Sequence, residues 1–260
     1  MIHVNGKLIE QHHFGAGELN IKLEPIEGNV DIIWNYEHDG ELFTLACIRH
    51  YYADKRCFLT MPYLPHARMD RVKNPEDVFT LQTFASFING LAFEKVRVLD
   101  AHSNVGIALI HRCENESPKE HIQKAINKLS YAKGNLCLFF PDEGAQKRYG
   151  EMFPDMPQAF GIKKRNWETR KIEGYMIIGE ENVKYKEVLI IDDICSYGNT
   201  FIKAAEALES AGACGVNLYV THCEECINKG NVFTSGLIDT VFTTDSLIRS
   251  DECEDKLVIV

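Results

Sequence analysis

The most constraining feature of the sequence is a strand–turn–helix pattern over residues 187–213. Residues 188–191 form a continuous apolar run rich in β-branched side chains, which is typical of a parallel strand buried on both faces. After Thr200 the apolar residues recur at helical spacing, and Gly212 supplies a stop. A turn between a buried strand and a helix N-terminus directs backbone N–H groups to one point, where a phosphate binds readily. The pattern therefore predicts an α/β sheet with an anion site at the end of one strand.

The composition is that of a soluble globular protein. With 260 residues, of which 45% are apolar and 25% charged, the chain can bury one large core or two modest ones. No apolar run approaches the ~20 residues of a membrane span, and the first residues lack the pattern of a secretion signal. Nine scattered cysteines favour a reducing cytoplasm over a disulfide framework. The net charge of −10 argues against nucleic-acid binding but allows small phosphorylated ligands held by a local basic cluster.

Strands alternate with helices twice along the chain, and a break near residues 133–135 predicts two domains, 1–134 and 135–260. The expected class is α/β, with each domain a mostly parallel sheet flanked by helices. The pattern leaves open whether the last strand, residues 257–260, returns to the first domain. In such folds, ligands bind beyond the carboxyl ends of the strands. Five candidate binding residues each follow a predicted strand: Arg68, His102, Asp142, Lys163 and Asp192.

The turn from Asp192 to Thr200 resembles the ribose-phosphate binding loop of type I phosphoribosyltransferases and ribose-phosphate diphosphokinases. The likeness to the diphosphokinases extends over nearly the whole chain, residues 14–260. Their motifs match at residues 14–18 (the phenylalanine–glutamate loop), 63–71 (Tyr-Phe-Pro-Tyr-Ala-Arg-Gln-Asp-Arg), 100–102 (Asp-Leu-His), 141–144 (Pro-Asp-x-Gly), 163–165 (Lys-Arg-Arg) and 221–222 (Thr-His).

The resemblance implies two tandem type I phosphoribosyltransferase-like domains. It also implies transfer of the β,γ-diphosphate of Mg-ATP to the anomeric hydroxyl of a ribose, with release of AMP. Phe14 would stack on the adenine, in its own or a neighbouring subunit of a homodimer or larger homo-oligomer. The implied ATP-binding residues are Phe14, Glu18, Arg68, Asp70, Arg71 and His102, and the implied Mg²⁺ ligands are His102 and Asp142.

The resemblance assigns catalysis to a closing loop that begins with Lys163, Lys164 and Arg165, whose charge would stabilise the attacked β-phosphorus. The alignment leaves open which of the two lysines is catalytic. Asp192 and Asp193 would hold the ribose hydroxyls. The remaining implied ribose-phosphate residues are Cys195, Ser196, Tyr197, Gly198, Asn199 and Thr200.

Two departures from the family pattern bear on the acceptor. Tyr197 replaces a threonine and Asn199 a glycine in the phosphate-binding loop, while Ala16 and Met69 alter the nucleotide motifs. A flat phenol in place of a small hydroxyl favours an acceptor that extends beyond its 5-phosphate. ADP-ribose fits, since Tyr197 could stack on its adenine. Short phage-type relatives make ADP-ribose pyrophosphate for NAD rebuilding in this way, in the cytoplasm of the host.

Three other interpretations stay open at this point. Free ribose 5-phosphate is the alternative acceptor, which would make the chain a source of phosphoribosyl pyrophosphate. A nucleobase phosphoribosyltransferase needs only one such domain and would leave Arg68 and His102 without a role. An inactive regulatory homologue would be expected to lack residues such as His102, Asp142 and Lys163, all of which are present.

A further motif allows a metal site. Cys223 and Cys226, next to His222, have the spacing of half a zinc site. No second pair follows at a suitable distance, so the sequence leaves metal binding by these cysteines undecided.

Overall fold

The computed structural model describes residues 1–129, 135–165, 172–248 and 255–260, with only the backbone described for residues 163–165 and 172–174. The chain divides into two compact units, Met1–Ser117 (unit 1) and Pro118–Val260 (unit 2). The predicted α/β class is confirmed, because each unit contains a mostly parallel sheet with helices against it. None of the helices in the described ranges combines the length and apolar character needed to cross a bilayer.

Unit 1 contains a six-stranded sheet in the order β2-β1-β5-β6-β7-β8. The strand β1 runs antiparallel to its two neighbours, and the other pairs are parallel. A separate two-stranded hairpin is formed by β3 and β4. The strands are β1 (Ile2–Val4), β2 (Lys7–Leu8), β3 (His12–His13), β4 (Leu19–Asn20), β5 (Val30–Trp34), β6 (Cys57–Met61), β7 (Lys95–Leu99) and β8 (Cys113–Glu116). The helices are α1 (Glu41–Tyr51), α2 (Thr80–Gly90) and α3 (Asn104–Leu109).

The core of unit 1 lies on one face of this sheet. Buried residues alternate with less buried ones along β5, β6 and β7, as expected when side chains point alternately to the two faces. The buried set contacts Leu45 of α1 and Phe84 of α2 in one continuous cluster. The helix α2 begins later than its apolar pattern suggests, because Asp77 accepts hydrogen bonds from the N–H groups of Lys73 and Asn74 and holds a turn there.

Unit 2 contains a seven-stranded sheet in the order β11-β10-β9-β12-β13-β14-β15, in which only β10 and β11 pair antiparallel. The strands are β9 (Leu136–Phe140), β10 (Gln158–Arg165), β11 (Ile172–Ile178), β12 (Glu187–Cys195), β13 (Gly215–Cys223), β14 (Val241–Thr243) and β15 (Leu257–Ile259). The helices are α4 (Lys119–Lys128), α5 (Glu143–Tyr149) and α6 (Asn199–Ser210).

Both faces of this second sheet are covered. Val188 and Ile190 of β12 pack on one face with α6, whereas Leu189 and Ile191 pack on the other with α4 and α5. The continuous apolar run in the sequence is explained by this arrangement, since every side chain of the strand's centre enters one of two cores.

Two details of the predicted domain organisation are wrong. The division falls at Ser117 and Pro118 instead of residue 134, because the apolar side of α4, including Ile122 and Ala125, completes a core of unit 2. The last strand does not return to the first domain, since β15 pairs in parallel with β14 at the edge of the second sheet. The predicted boundary at residue 134 itself lies outside the described residues.

Candidate active site

The sheet of unit 2 has a switch point between β9 and β12. These strands are neighbours, but the chain leaves β9 through α5 toward β10 on one side and leaves β12 through α6 toward β13 on the other. Connections that diverge in this way open a crevice at the carboxyl ends of the two strands, which is where open α/β sheets bind ligands. Asp142 follows β9, and Asp192 and Asp193 lie near the end of β12. The structure thus brings three of the predicted site residues to one crevice.

The turn at the end of β12 leads directly into α6. Gly198 immediately precedes the helix with φ 77°, in the left-handed region that favours glycine. The first N–H groups of α6 are directed back toward this turn, which makes residues 196–200 a place where a phosphate could bind. The side chain of Tyr197 is 52% exposed.

A second segment, residues 224–236, supports this turn from behind. A Cβ atom on Gly198 would lie 2.1 Å from Cγ2 of Val232, and one on Gly230 would lie 2.1 Å from the carbonyl oxygen of Tyr197. The carbonyl of Cys195 also accepts a hydrogen bond of 2.9 Å from the N–H of Glu224. The backbone of the turn is therefore held in contact with a segment distant in sequence.

Three carboxylates and one guanidinium determine the electrostatics of the crevice. Asp193 is 5% exposed, and its Oδ2 lies 3.4 Å from Nη1 of Arg148 on α5. The Asp193 N–H donates to Oδ1 of Asp192 at 3.0 Å. Burial, and then the charge of Asp193, raise the pKa of Asp192 well above its usual range, and Asp142 contributes further. Asp142 also caps α5, because its Oδ1 accepts a hydrogen bond of 3.0 Å from the N–H of Ala145.

The side chain of Cys195 does not belong to the ligand-facing set that the resemblance implies. It is fully buried beside Cys223, its partner in the register of β12 and β13. A hydrogen bond with Cys223, followed by burial, raises the pKa of the Cys195 thiol well above its usual range. Cys195 therefore contributes packing and its backbone, and the prediction that its side chain meets the ligand is wrong.

The basic stretch that the resemblance identifies as a closing loop begins inside a strand. The backbone of Lys163, Lys164 and Arg165 continues β10 and pairs with Tyr175, Gly174 and Ile172 of β11. This antiparallel pairing extends the strand beyond Ile162, where the sequence pattern ended it. The remainder of the basic run, residues 166–171, lies outside the described residues.

Unit 1 collects the residues predicted for ATP at the ends of β6 and β7. Because these strands are parallel neighbours, Asp70 after β6 lies close to His102 and Ser103 after β7. The carboxylate of Asp70 is only 7% exposed and is held by a fork from Arg71, with Nε to Oδ1 at 2.8 Å and Nη2 to Oδ2 at 3.2 Å. Asp70 thus orients its neighbours, whereas the side chain of Arg68 is exposed.

The pair formed by Asp70 and Arg71 predicts a pH dependence. The hydrogen bonds from Arg71 lower the pKa of Asp70, so the pair stabilises unit 1 above the unfolded carboxyl pKa of about 4 and loses its contribution as pH falls through the lower folded value. We expect Arg71→Met to destabilise the protein at pH 7 and to differ progressively less from wild type between about pH 4 and pH 2. Urea unfolding at each pH measures the difference.

Lys95→Met is the matched control, because Lys95 pairs with the exposed Glu114 on the same sheet. A surface pair of this kind contributes little, so its variant should show a smaller pH dependence. A difference between Arg71→Met and wild type that stays constant from pH 7 to pH 2 would contradict the assignment.

Phe14 and Glu18 lie at the tip of the hairpin formed by β3 and β4. The Phe14 N–H donates to the Glu18 carbonyl at 2.9 Å, and Gly17 turns the chain with φ 87°. The ring of Phe14 is 58% exposed. The predicted loop is thus a short hairpin that presents an aromatic ring to solvent.

Two contributors to the crevice escape sequence reasoning. In the sequence, Arg148 has the appearance of an ordinary helix surface cation, and Val232 that of a core residue in a connecting segment. Tyr175 is a third such case, since its hydroxyl donates to the Thr200 carbonyl at 3.3 Å. Only the contacts across the fold identify them.

The cysteine motif remains without support as a metal site. Cys226 donates to Oε2 of Glu224 at 3.4 Å, and Cys223 is buried. Over residues 1–129, 135–165, 172–248 and 255–260, no group of three or more histidine, cysteine or acidic side chains is arranged to hold a metal ion.

Comparisons with known proteins agree with this geometry. The profile of the phosphoribosyl transferase domain matches residues 145–231, which include the turn and α6. The ribose-phosphate pyrophosphokinase of Campylobacter jejuni is 29% identical over 204 residues, covering 76% of this chain and 64% of the relative. That of Pyrococcus furiosus is 29% identical over 185 residues, covering 70% and 61%. The match therefore spans a little under two thirds of these relatives' length.

A solved structure supports the same fold over almost the whole chain. The crystal structure of phosphoribosylpyrophosphate synthetase from Mycobacterium smegmatis superposes with a TM-score of 0.80 and 18% identity, covering 97% of this chain and 85% of that one. At this identity the match shows a shared fold, which includes the two phosphoribosyltransferase-like domains expected from the sequence.

Proposed function

This chain belongs to the ribose-phosphate diphosphokinase family, and from that premise we propose that it transfers the β,γ-diphosphate of Mg-ATP to the anomeric hydroxyl of a ribose 5-phosphate moiety. A bond forms between the anomeric oxygen and the β-phosphorus, the bond from that phosphorus to the bridging oxygen of AMP breaks, and the hydroxyl loses its proton. The observation that carries the proposal is the crevice of unit 2, where Asp192 and Asp193 adjoin the N-terminus of α6.

The two parts of this crevice match the two parts of a ribose phosphate. Backbone N–H groups at the start of α6, with the hydroxyls of Ser196 and Thr200, suit a phosphate dianion. The carboxylates of Asp192 and Asp193 suit the sugar hydroxyls as hydrogen-bond acceptors. Because burial raises the pKa of Asp192, a hydroxyl that donates to its charged form would supply stabilisation that burial withholds.

Unit 1 carries the residues that we assign to ATP. The guanidinium of Arg68 suits a polyphosphate, and Phe14 offers an exposed ring for stacking on adenine, in its own subunit or a second one of a homo-oligomer. Asp70 and Arg71 support this region through their ion pair.

Mg²⁺ is the cofactor that fits this chemistry. Asp142 supplies carboxylate oxygens at the edge of the crevice, and His102 follows β7 in unit 1. Mg²⁺ keeps several waters and takes phosphate oxygens, so it needs few protein ligands, in keeping with the lack of a three-residue cluster among the described residues. When bound, the ion would neutralise part of the phosphate charge.

We assign the acceptor to ADP-ribose, in place of free ribose 5-phosphate, on the basis of Tyr197. Its exposed phenol follows the carboxylate end of β12, where a larger acceptor would pass beyond the phosphate position. Stacking on adenine contributes on the order of 1–2 kcal/mol, enough to shift the preference between acceptors. The product would then be ADP-ribose pyrophosphate, which belongs to the rebuilding of NAD in the cytoplasm.

The experiment is to incubate the protein with Mg-ATP and each acceptor separately and to measure AMP. Release of AMP that requires an added acceptor is expected, with ADP-ribose preferred. Turnover with ribose 5-phosphate alone would contradict the assignment of ADP-ribose. No AMP with either acceptor would contradict the reaction itself and would favour a regulatory role.

Replacing Tyr197 should reverse the acceptor preference. We expect Tyr197→Thr to raise KM for ADP-ribose about 10-fold, because the stacking surface is lost, and to leave KM for ribose 5-phosphate unchanged or lower. Tyr197→Phe is the control, since it keeps the ring and should keep the preference. Equal KM values for ADP-ribose in Tyr197→Thr and wild type would show that the ring does not meet the acceptor.

A further inference from the structure

Arg148 contacts the crevice from a helix that lies outside the ribose-phosphate loop. Its Nη1 is 3.4 Å from Oδ2 of Asp193, and the same atom donates to the hydroxyl of Tyr149 at 3.4 Å. The guanidinium carbon lies 5.6 Å from the centre of the Tyr149 ring, which is itself fully buried. The guanidinium is therefore held from two sides, by an aromatic residue of its own helix and by a carboxylate of β12.

The carboxylate that Arg148 contacts needs a cation. Asp193 is buried next to Asp192, and two adjacent desolvated carboxylates disfavour each other's charge. A buried carboxylate that lost its guanidinium would become neutral or turn toward water, and in either case it would no longer accept hydrogen bonds in the crevice. Asp142, by capping α5, fixes where the helix begins and hence where Arg148 lies.

We propose that Arg148 is a positioning residue of the acceptor site, whose guanidinium holds Asp193 ionised and oriented to accept hydrogen bonds from the vicinal hydroxyls of a ribose. The inference rests on the proposed function and deepens it, because it names a residue outside the loop that decides acceptor binding. Arg148 acts through Asp193 and has no contact with the reacting atoms.

The test compares Arg148→Met, which keeps the length and removes the charge, with Arg148→Lys, which keeps the charge and loses the planar fork. Lys147→Met is the matched control, because Lys147 is the neighbouring cation on α5 and pairs with the exposed Glu143 instead. For each protein, KM for the acceptor and for ATP are measured, together with the Kd of ribose 5-phosphate by calorimetry.

Arg148→Met should raise both the acceptor KM and the Kd of ribose 5-phosphate by about 10- to 100-fold, as the loss of a charged hydrogen bond does. KM for ATP should stay within about twofold of wild type, as expected if the effect is confined to the acceptor carboxylates. Arg148→Lys should recover most of the affinity because it restores the charge, and Lys147→Met should match wild type.

A double variant separates positioning from a general structural effect. If Arg148 acts through Asp193, then Asp193→Asn combined with Arg148→Met should bind ribose 5-phosphate no more weakly than Asp193→Asn alone. An additive loss in the double variant would overturn the inference, as would unchanged acceptor binding in Arg148→Met or an equal rise of both KM values. If Arg148→Met does not fold, the comparison of Arg148→Lys with Arg148→Lys/Asp193→Asn decides in the same way.

Failure of the proposed reaction gives a different result. Wild-type protein that binds ribose 5-phosphate but releases no AMP would contradict the diphosphate transfer, and the binding comparison would still decide the role of Arg148. Wild-type protein that shows no binding of ribose 5-phosphate and no AMP release would overturn both.

Discussion

Replacing Lys163 and Lys164 together by alanine is expected to lower kcat on the order of 10³-fold, while the Kd for ATP stays within about threefold. Phe160 of β10 lies opposite Phe140 of β9, so the backbone of both lysines continues past this pair toward the same sheet edge as Asp142. Positive charge there would stabilise the diphosphate as its bond to AMP breaks, a demand that arises in the transition state more than in the bound nucleotide. Single-turnover release of AMP and calorimetric binding of a non-hydrolysable ATP analogue measure the two effects.

The control for this prediction removes the same amount of charge elsewhere in unit 2. Lys147 and Lys203 are exposed and pair with Glu143 and Glu206 on their own helices. Alanine at both positions should leave kcat near the wild-type value. Wild-type turnover in the Lys163→Ala/Lys164→Ala protein would show that the basic strand end has no catalytic role.

The second large effect is expected at Gly198. Alanine there should lower the free energy of unfolding by about 3 kcal/mol, of which about 1 comes from the left-handed backbone and the rest from the clash with Val232. Because the displaced residues include the phosphate-binding turn, KM for the acceptor should rise as well. Urea unfolding and acceptor kinetics provide the two measurements.

Gly236 offers a matched control for the backbone contribution. It has φ 74°, close to the 77° of Gly198, but a Cβ atom there would meet nothing within 4 Å. Gly236→Ala should therefore cost only the strain, about 1 kcal/mol. Adding Val232→Ala to Gly198→Ala removes the clashing methyl group and should restore part of the acceptor affinity. Equal unfolding free energies for the Gly198→Ala and Gly236→Ala proteins would contradict the close contact.

Local patterns in the sequence were sufficient for the fold class and for the place of the crevice. The apolar run of residues 188–191 requires a strand buried on both faces, and the glycine before a helical repeat requires a turn at its end. Boundaries were less predictable, since they depend on competition between contacts. Pairing with β11 extended β10 through Arg165, and the carboxylate of Asp77 delayed the start of α2.

The roles of individual polar residues depended on burial, which periodicity reports poorly. Asp70 and Cys195 stand in motifs that the resemblance assigns to ligands, yet Asp70 is held by Arg71 and the thiol of Cys195 is buried against Cys223. In both cases a partner within the fold provides the interaction that a ligand was expected to provide.

The sequence by itself determined that carboxylates and a glycine turn follow one buried strand, because strand, turn and helix are encoded by neighbouring residues. The tertiary structure alone decided what surrounds that turn: Arg148 beside Asp193, and Val232 and Gly230 against its backbone. These contacts join segments far apart in the chain, and their energies depend on close packing and on charge at short range. Such distances exist only once the sheet has formed.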